Sequence, residues 1–138
     1  RRYESRGGGS DTAALNLLYT PSLPSLINGR LFWIDEGSIP ALRKREYGYD
    51  LLPVPYVPWN DATAEPRIAY VLVALDRVGD PRPVTSTGIL PNLGYVDLCR
   101  AGARSVSSEF EEFFLETSFT NEGSSLREYL DSLEQQGD

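Results

Sequence analysis

Ala41-Leu42-Arg43-Lys44-Arg45-Glu46-Tyr47-Gly48-Tyr49-Asp50 is the stretch on which the reading of this chain turns, because in it a short helix hands over to a strand through a carboxylate. Ile39, Leu42 and Glu46 stand at i, i+3 and i+7, so a helix running from Ser38 presents all three on one face. Glu46 then points where the apolar side chains point and sits in the helix's last turn. A half-buried carboxylate so placed is a candidate proton acceptor near neutral pH. The same pattern is met by a solvated Glu46 loosely paired with Arg43, and spacing alone leaves both readings open.

Upstream, Leu26-Ile27-Asn28-Gly29-Arg30-Leu31-Phe32-Trp33-Ile34 has strand composition, with Gly29 marking a bulge or a close approach and Trp33 a packing position. Ala13 to Tyr19 reads as a weaker strand that ends before Pro21, and residues 1–11 as an extended lead-in of low order. Ser38 stands where an N-cap belongs, with Pro40 tolerated in the first turn.

Downstream, Tyr49 to Val57 reads as an edge strand, because Pro53 and Pro55 lack a donor on the same side. Trp59 to Pro66 is a polar, hairpin-like loop. Ile68-Ala69-Tyr70-Val71-Leu72-Val73-Ala74-Leu75 is apolar throughout and is expected in the middle of the sheet. Beyond the proline-bearing loop from Asp80 to Leu90, Pro91-Asn92 introduces a helix over Leu93 to Arg104, with Val96, Cys99 and Ala103 on one face and Gly102 permitting close packing. Ser108 with Glu111 and Ser125 with Glu128 read as capping boxes for two further helices. The first carries Phe110, Phe113, Phe114 and Leu115, the second Leu126, Tyr129, Leu130 and Leu133. Glu109, Glu111, Glu112 and Glu116 read as a solvated face. Strands first and helices after predict a single α+β domain over residues 1–138, a small antiparallel or mixed sheet or barrel packed by C-terminal helices.

Composition narrows the chemistry. The chain has 138 residues and a formal net charge of -7, which argues against a nucleic-acid or anionic-membrane surface. No apolar stretch is long enough for membrane insertion as a helix. One cysteine allows no internal disulfide, which fits the cytoplasm or another reducing compartment, an organelle included if Arg1 is a processed terminus. Histidine is absent altogether, which excludes Ser-His and Cys-His nucleophile pairs, histidine-ligated metals and an imidazole base. No metal or cofactor is expected, and catalysis would rest on carboxylates, tyrosines and backbone amides. Gly7-Gly8-Gly9-Ser10 has neither a strand before it nor a helix after it, so it is no phosphate loop. With Arg1 first and no methionine anywhere, the sequence is expected to be part of a longer product.

Leu42-Arg43-Lys44-Arg45-Glu46-Tyr47-Gly48-Tyr49-Asp50 resembles the "L-D-R-R-E-x-G-Y-D" segment of the gamma-glutamylcyclotransferase family. Asn28-Gly29-Arg30-Leu31-Phe32 is similar to that family's "V-x-G-V-L-F" strand, and the apolar run from Ile68 matches the strand that follows the acidic motif. Pro91-Asn92-Leu93-Gly94-Tyr95 through Gly102-Ala103 resembles its "P-S-x-x-Y-x-x-x-x-x-x-G-A" segment. Together the resemblances cover about Ala13 to Phe119 in matching order. They imply a gamma-glutamylcyclotransferase-like fold with Glu46 as general base and acid, and with Tyr49 and Tyr95 lining a pocket for a small-molecule gamma-glutamyl substrate. Members of the family convert gamma-glutamyl compounds, glutathione among them, to 5-oxoproline and a free amine without a cofactor. The substrate's own α-amine attacks its own γ-carbonyl, so nucleophile and electrophile arrive tethered.

The sequence departs from the family at two points. The Tyr-Gly-Ser loop that holds the glutamyl end of the substrate occurs nowhere in the chain and is expected upstream of Arg1. Tyr47 stands where glycine is common. Without the resemblance, Tyr49 and Tyr95 would read as core residues and Cys99 as a packed thiol. Two alternatives stand beside the enzyme: a non-catalytic domain serving as scaffold or interaction subunit of a larger assembly, with protein partners, and a binding module that kept the pocket without turnover.

Overall fold

The computed structural model describes residues 12–13, 15, 17, 26–74 and 89–136. The expected lead-in over residues 1–11, most of the strand expected over Ala13 to Tyr19, and most of the loop from Asp80 lie outside these residues. In chain order the elements are β1 (Thr12–Ala13), a 3-10 turn (Glu36–Ser38), α1 (Ile39–Arg45), β2 (Asp50–Tyr56), β3 (Arg67–Val73), β4 (Leu90–Pro91), α2 (Leu93–Arg104), α3 (Ser108–Thr117) and α4 (Leu126–Gln136). The class is α+β, with a small antiparallel sheet and, among the described residues, four α-helices. The chain divides into two compact units. Among the described residues, one holds 12–13, 15, 26–29 and 89–136, and the other 17 and 30–74.

The first unit holds α2, α3 and α4 with a short parallel pairing of β1 with β4, Thr12 opposite Leu90 and Ala13 opposite Pro91, and an antiparallel bridge between Phe119 and Ser125. Asn92 caps α2 by accepting the backbone N–H of Tyr95 at 3.0 Å, which satisfies a donor that the first turn cannot. Ser125 and Glu128 form a full capping box on α4: the Ser125 hydroxyl accepts the Glu128 N–H at 3.1 Å and the Glu128 carboxylate accepts the Ser125 N–H at 2.9 Å. The cap of α3 is not the expected one. Ser107 rather than Ser108 accepts the Phe110 N–H, at 3.1 Å, and Glu111 is drawn away from capping by two arginines described below.

Val96 of α2, Leu115 of α3 and Leu126 of α4 are buried together, with Phe114, Tyr129 and Leu130 packed against them. Ala103 and Phe110 are also buried, and Cys99 is half-buried on the same side of α2 as Val96 and Ala103. Gly102 corrects an expectation. A Cβ built there meets nothing within 4 Å, so the residue supports no close helix contact, and Gly29 is equally open.

The second unit is built on the β2–β3 hairpin, paired without interruption from Asp50 opposite Val73 to Tyr56 opposite Arg67. The connecting loop is closed by Asp61, whose carboxylate accepts the backbone N–H of Thr63 at 3.2 Å and its hydroxyl at 2.8 Å. Pro53 and Pro55 face Tyr70 and Ile68 across the ladder, and all four are exposed. Leu52, Val54, Ala69, Val71 and Val73 lie on the opposite, less exposed face. β3 was expected in the middle of a sheet, yet among the described residues it pairs with β2 alone and one of its faces is open. Its composition, apolar on both faces, does not reveal which face finds cover.

Leu26 to Ile34 gives the largest correction, since among the described residues this segment pairs as no strand. Within the first unit it is tied down by Asn28, whose Nδ2 donates to the Phe110 carbonyl of α3 at 2.7 Å. In the second unit Leu31, Phe32, Trp33 and Ile34 are exposed, Trp33 fully, so Trp33 is not a packing residue. The guanidinium of Arg30 lies 5.9 Å from the Phe32 ring centre.

Candidate functional site

α1 is seven residues long, and Ser38 does not cap it with its side chain. The preceding 3-10 turn already places Ser38 in helical geometry, with its N–H on the Asp35 carbonyl at 2.8 Å, so its hydroxyl is not aimed at the first turn. Pro40 occupies the first turn, where a missing N–H costs nothing. Arg43, Lys44 and Arg45 fill the last turn, where cations complement the helix dipole.

Glu46 is the C-cap of α1, its N–H bonded to the Leu42 carbonyl at 2.9 Å. The Tyr49 N–H then returns to the Glu46 carbonyl at 3.0 Å, and Gly48 at φ 93° supplies the left-handed step that this turn needs before β2 begins. From Ile39 through Glu46, the residues withdrawn from solvent are Ile39, Leu42 and Glu46, and those between are exposed. The Glu46 side chain is 28% exposed, and its Oε1 accepts the Nε–H of Arg45 at 2.8 Å. The partner is thus Arg45 and not Arg43. A shallow, open hollow of about 330 Å³ lies along α1, lined by Ile34, Ser38, Ala41, Leu42 and Arg45. Glu46 is joined to that hollow through Arg45.

Tyr49 is half-buried in the turn three residues after Glu46, within the same unit. Tyr95 belongs to the other unit, in the first turn of α2, where it is half-buried and hydrogen-bonded to the Cys99 thiol one turn on. Burial pushes that thiol up, and the Tyr95 bond partly offsets the effect. Among the described residues no group of three His, Cys, Asp or Glu side chains could hold a metal ion. No described helix is long and apolar enough to cross a membrane.

One buried acid escaped the sequence reading. Glu111, expected on a solvated face with Glu109, Glu112 and Glu116, is 6% exposed. Arg100 donates to its Oε1 at 3.0 Å, while Arg104 donates to Oε2 at 2.6 Å and to Oε1 at 2.7 Å. The signal was in the sequence: Glu111 precedes the buried Leu115 by four residues and follows the buried Phe110, which puts it on the inner side of α3. Arg104 foremost, and then Arg100, hold this carboxyl below the ordinary glutamate value of 4.5, against the effect of burial.

A carboxyl lowered in the folded state stabilises it above the unfolded value and ceases to do so as acid protonates it. Glu111→Gln is therefore expected to cost about 2 kcal/mol at pH 7, a figure for charged hydrogen bonds reduced because Arg104 is largely exposed. The cost should shrink as the pH falls below about 4.5. Urea unfolding of both proteins across that range measures it, and a difference independent of pH would deny the ion pairs their part.

Comparison of the chain with protein-family models, curated proteins and solved structures yields no match to any of them.

Proposed function

We propose that this chain is a gamma-glutamylcyclotransferase-like domain that cyclises a gamma-glutamyl compound to 5-oxoproline and releases an amine. The observation that carries the reading is the placement of Glu46. It is a carboxylate at the junction of α1 and β2, partly withdrawn from water on the face that Ile39 and Leu42 share, beside an open hollow along the same helix. The α+β class and the antiparallel hairpin after the acidic motif are compatible with the fold that the sequence resemblance implies.

In the proposed reaction the Glu46 carboxylate takes a proton from the substrate's α-ammonium, and the freed amine attacks the γ-carbonyl. Addition gives a tetrahedral oxyanion, which collapses with cleavage of the old amide C–N bond as Glu46 returns that proton to the departing nitrogen; the ring nitrogen's remaining extra proton then passes by way of Glu46 to the released amine, so that a neutral lactam and an ammonium leave. Backbone amides would stabilise the oxyanion, a role assigned to no residue of 1–138. Tyr49 follows Glu46 in the same turn and would line the substrate's path, whereas a substrate contact for Tyr95, which belongs to the other unit, rests on the sequence resemblance alone. The direct test is to incubate the protein with gamma-glutamyl amino acids, gamma-glutamyl amines and glutathione and to measure 5-oxoproline by mass spectrometry. Release from at least one class is the expected result. None from any class would overturn the reading.

A second reading, an interaction domain within a larger assembly, is favoured by one observation: Leu31, Phe32, Trp33 and Ile34 present consecutive exposed apolar side chains. Full cyclotransferase turnover by the isolated protein argues against it as the sole role.

A further inference from the structure

We infer that Asn28-Gly29 is a self-acting modification site: water converts the Asn28 amide to a carboxylate by way of a succinimide, and the product can no longer hold its segment to α3. Of the asparagines in the chain, Asn28 alone precedes a glycine. That neighbour matters because the reaction is an attack by the next residue's backbone nitrogen on the asparagine Cγ, and any side chain on that residue crowds the approach. The ring also needs backbone angles that neither a helix nor a paired strand offers. Among the described residues Leu26 to Ile34 forms no helix and pairs as no strand, so no ladder fixes Gly29 there. Gly29 is exposed, and a Cβ built on it meets nothing within 4 Å.

Water is the only co-reactant, and nothing is oxidised or reduced. Base takes the proton of the Gly29 amide, the nitrogen attacks Cγ, and the Cγ–Nδ2 bond breaks as ammonia leaves with a proton from solvent. Water then opens the succinimide at Cγ to give aspartate, or at the backbone carbonyl to give isoaspartate, with the chain routed through Cγ. An amide and a water become a carboxylate and an ammonium.

The hydrogen bond of Asn28 makes the change one-way. The nitrogen that leaves is the one that donates to the Phe110 carbonyl of α3 at 2.7 Å. A side chain anchored through Nδ2 has lost the rotamer freedom on which ring closure draws, so the reaction proceeds chiefly when the segment has left the helix. The carboxylate that results has no proton to donate. Its oxygens would meet the Phe110 carbonyl oxygen, and it adds negative charge to a chain already at -7. A segment that has opened and reacted therefore does not close again.

The test incubates the full protein in mildly alkaline buffer, folded and in urea, and follows the peptide ending at Arg30 by mass spectrometry after brief tryptic digestion at mildly acid pH, with fragmentation to place the change. Asn28 should react well ahead of Asn60 and Asn121, and several-fold faster in urea than in the folded protein. Gly29→Ala should slow the reaction several-fold at an unchanged melting temperature, since the position has room for a Cβ and no positive φ. Asn28→Asp copies the product and should speed tryptic cleavage after Arg30 of the folded protein about tenfold, the population that one lost hydrogen bond releases, while cleavage after Arg43 stays as it was. Circular dichroism verifies that this variant folds; if it does not, the same cleavage is timed on the deamidated unaltered protein, separated by its added charge. Asn28 reacting no faster than Asn60 and Asn121, or equally fast folded and in urea, overturns the assignment. So does unchanged cleavage after Arg30 in the product form, because the amide would then not hold the segment.

Discussion

Glu46→Gln is expected to lower kcat for release of 5-oxoproline about 10²- to 10⁴-fold, the usual worth of a positioned general base and acid. The substitution keeps the size of the side chain and removes its ability to accept a proton from the α-ammonium. Binding should suffer less than turnover, because an amide oxygen can still accept the Nε–H of Arg45. The fold should not suffer either. What Glu46 contributes to the α1 terminus runs through its backbone, by way of the bonds to Leu42 and Tyr49, and these do not depend on the carboxylate. The side-chain ion pair joins a 73% exposed Arg45 to a 28% exposed Glu46, and pairs of that kind contribute about 1 kcal/mol at most. A melting curve beside the kinetics therefore separates a lost base from a lost fold. Turnover within about threefold of the unaltered protein would remove Glu46 from the chemistry.

What could be read in advance divides along the range of the interactions involved. The helices after Pro91 announce themselves through contacts within a few residues, such as Asn92 with Tyr95 and Ser125 with Glu128; the bounds of α2 fall where they were read, while the cap of α3 falls on Ser107 and not on Ser108. The stripe of Ile39, Leu42 and Glu46 is equally local; it offered a half-buried Glu46 beside a solvated one, and the structure withdraws Glu46 partly from water. Strand pairing is not local. Leu26 to Ile34 has the composition of a strand, but composition names no partner, and its apolar side chains from Leu31 to Ile34 stand exposed. Glu111 shows the same limit for charge. Its acidic neighbours suggest water, whereas its burial is decided by Arg100 and Arg104, one turn apart on another helix. The candidate site inherits this division. Glu46, Arg45 and Tyr49 follow from one continuous stretch, while Tyr95 belongs to the other unit and is tied to them by the sequence resemblance alone.

Leu115→Ala should produce the largest loss of stability, about 3 kcal/mol, within the range for deleting a buried leucine side chain. Leu115 is 0% exposed and clusters with Val96 of α2 and Leu126 of α4, and Phe114, Tyr129 and Leu130 pack against that cluster. Truncation removes apolar surface from a cluster that α2, α3 and α4 share, and the cavity can close only if all three helices move. The ion pairs of Glu111 with Arg100 and Arg104 and of Arg127 with Glu112 resist that movement, which keeps the cost near the full transfer-plus-cavity value. Leu98→Ala is the matched control. It deletes the same atoms from α2, but Leu98 is 70% exposed and should cost less than about 0.5 kcal/mol. Urea unfolding followed by circular dichroism distinguishes the two, and a Leu115→Ala cost no greater than that of Leu98→Ala would mean that the helices do not close on Leu115.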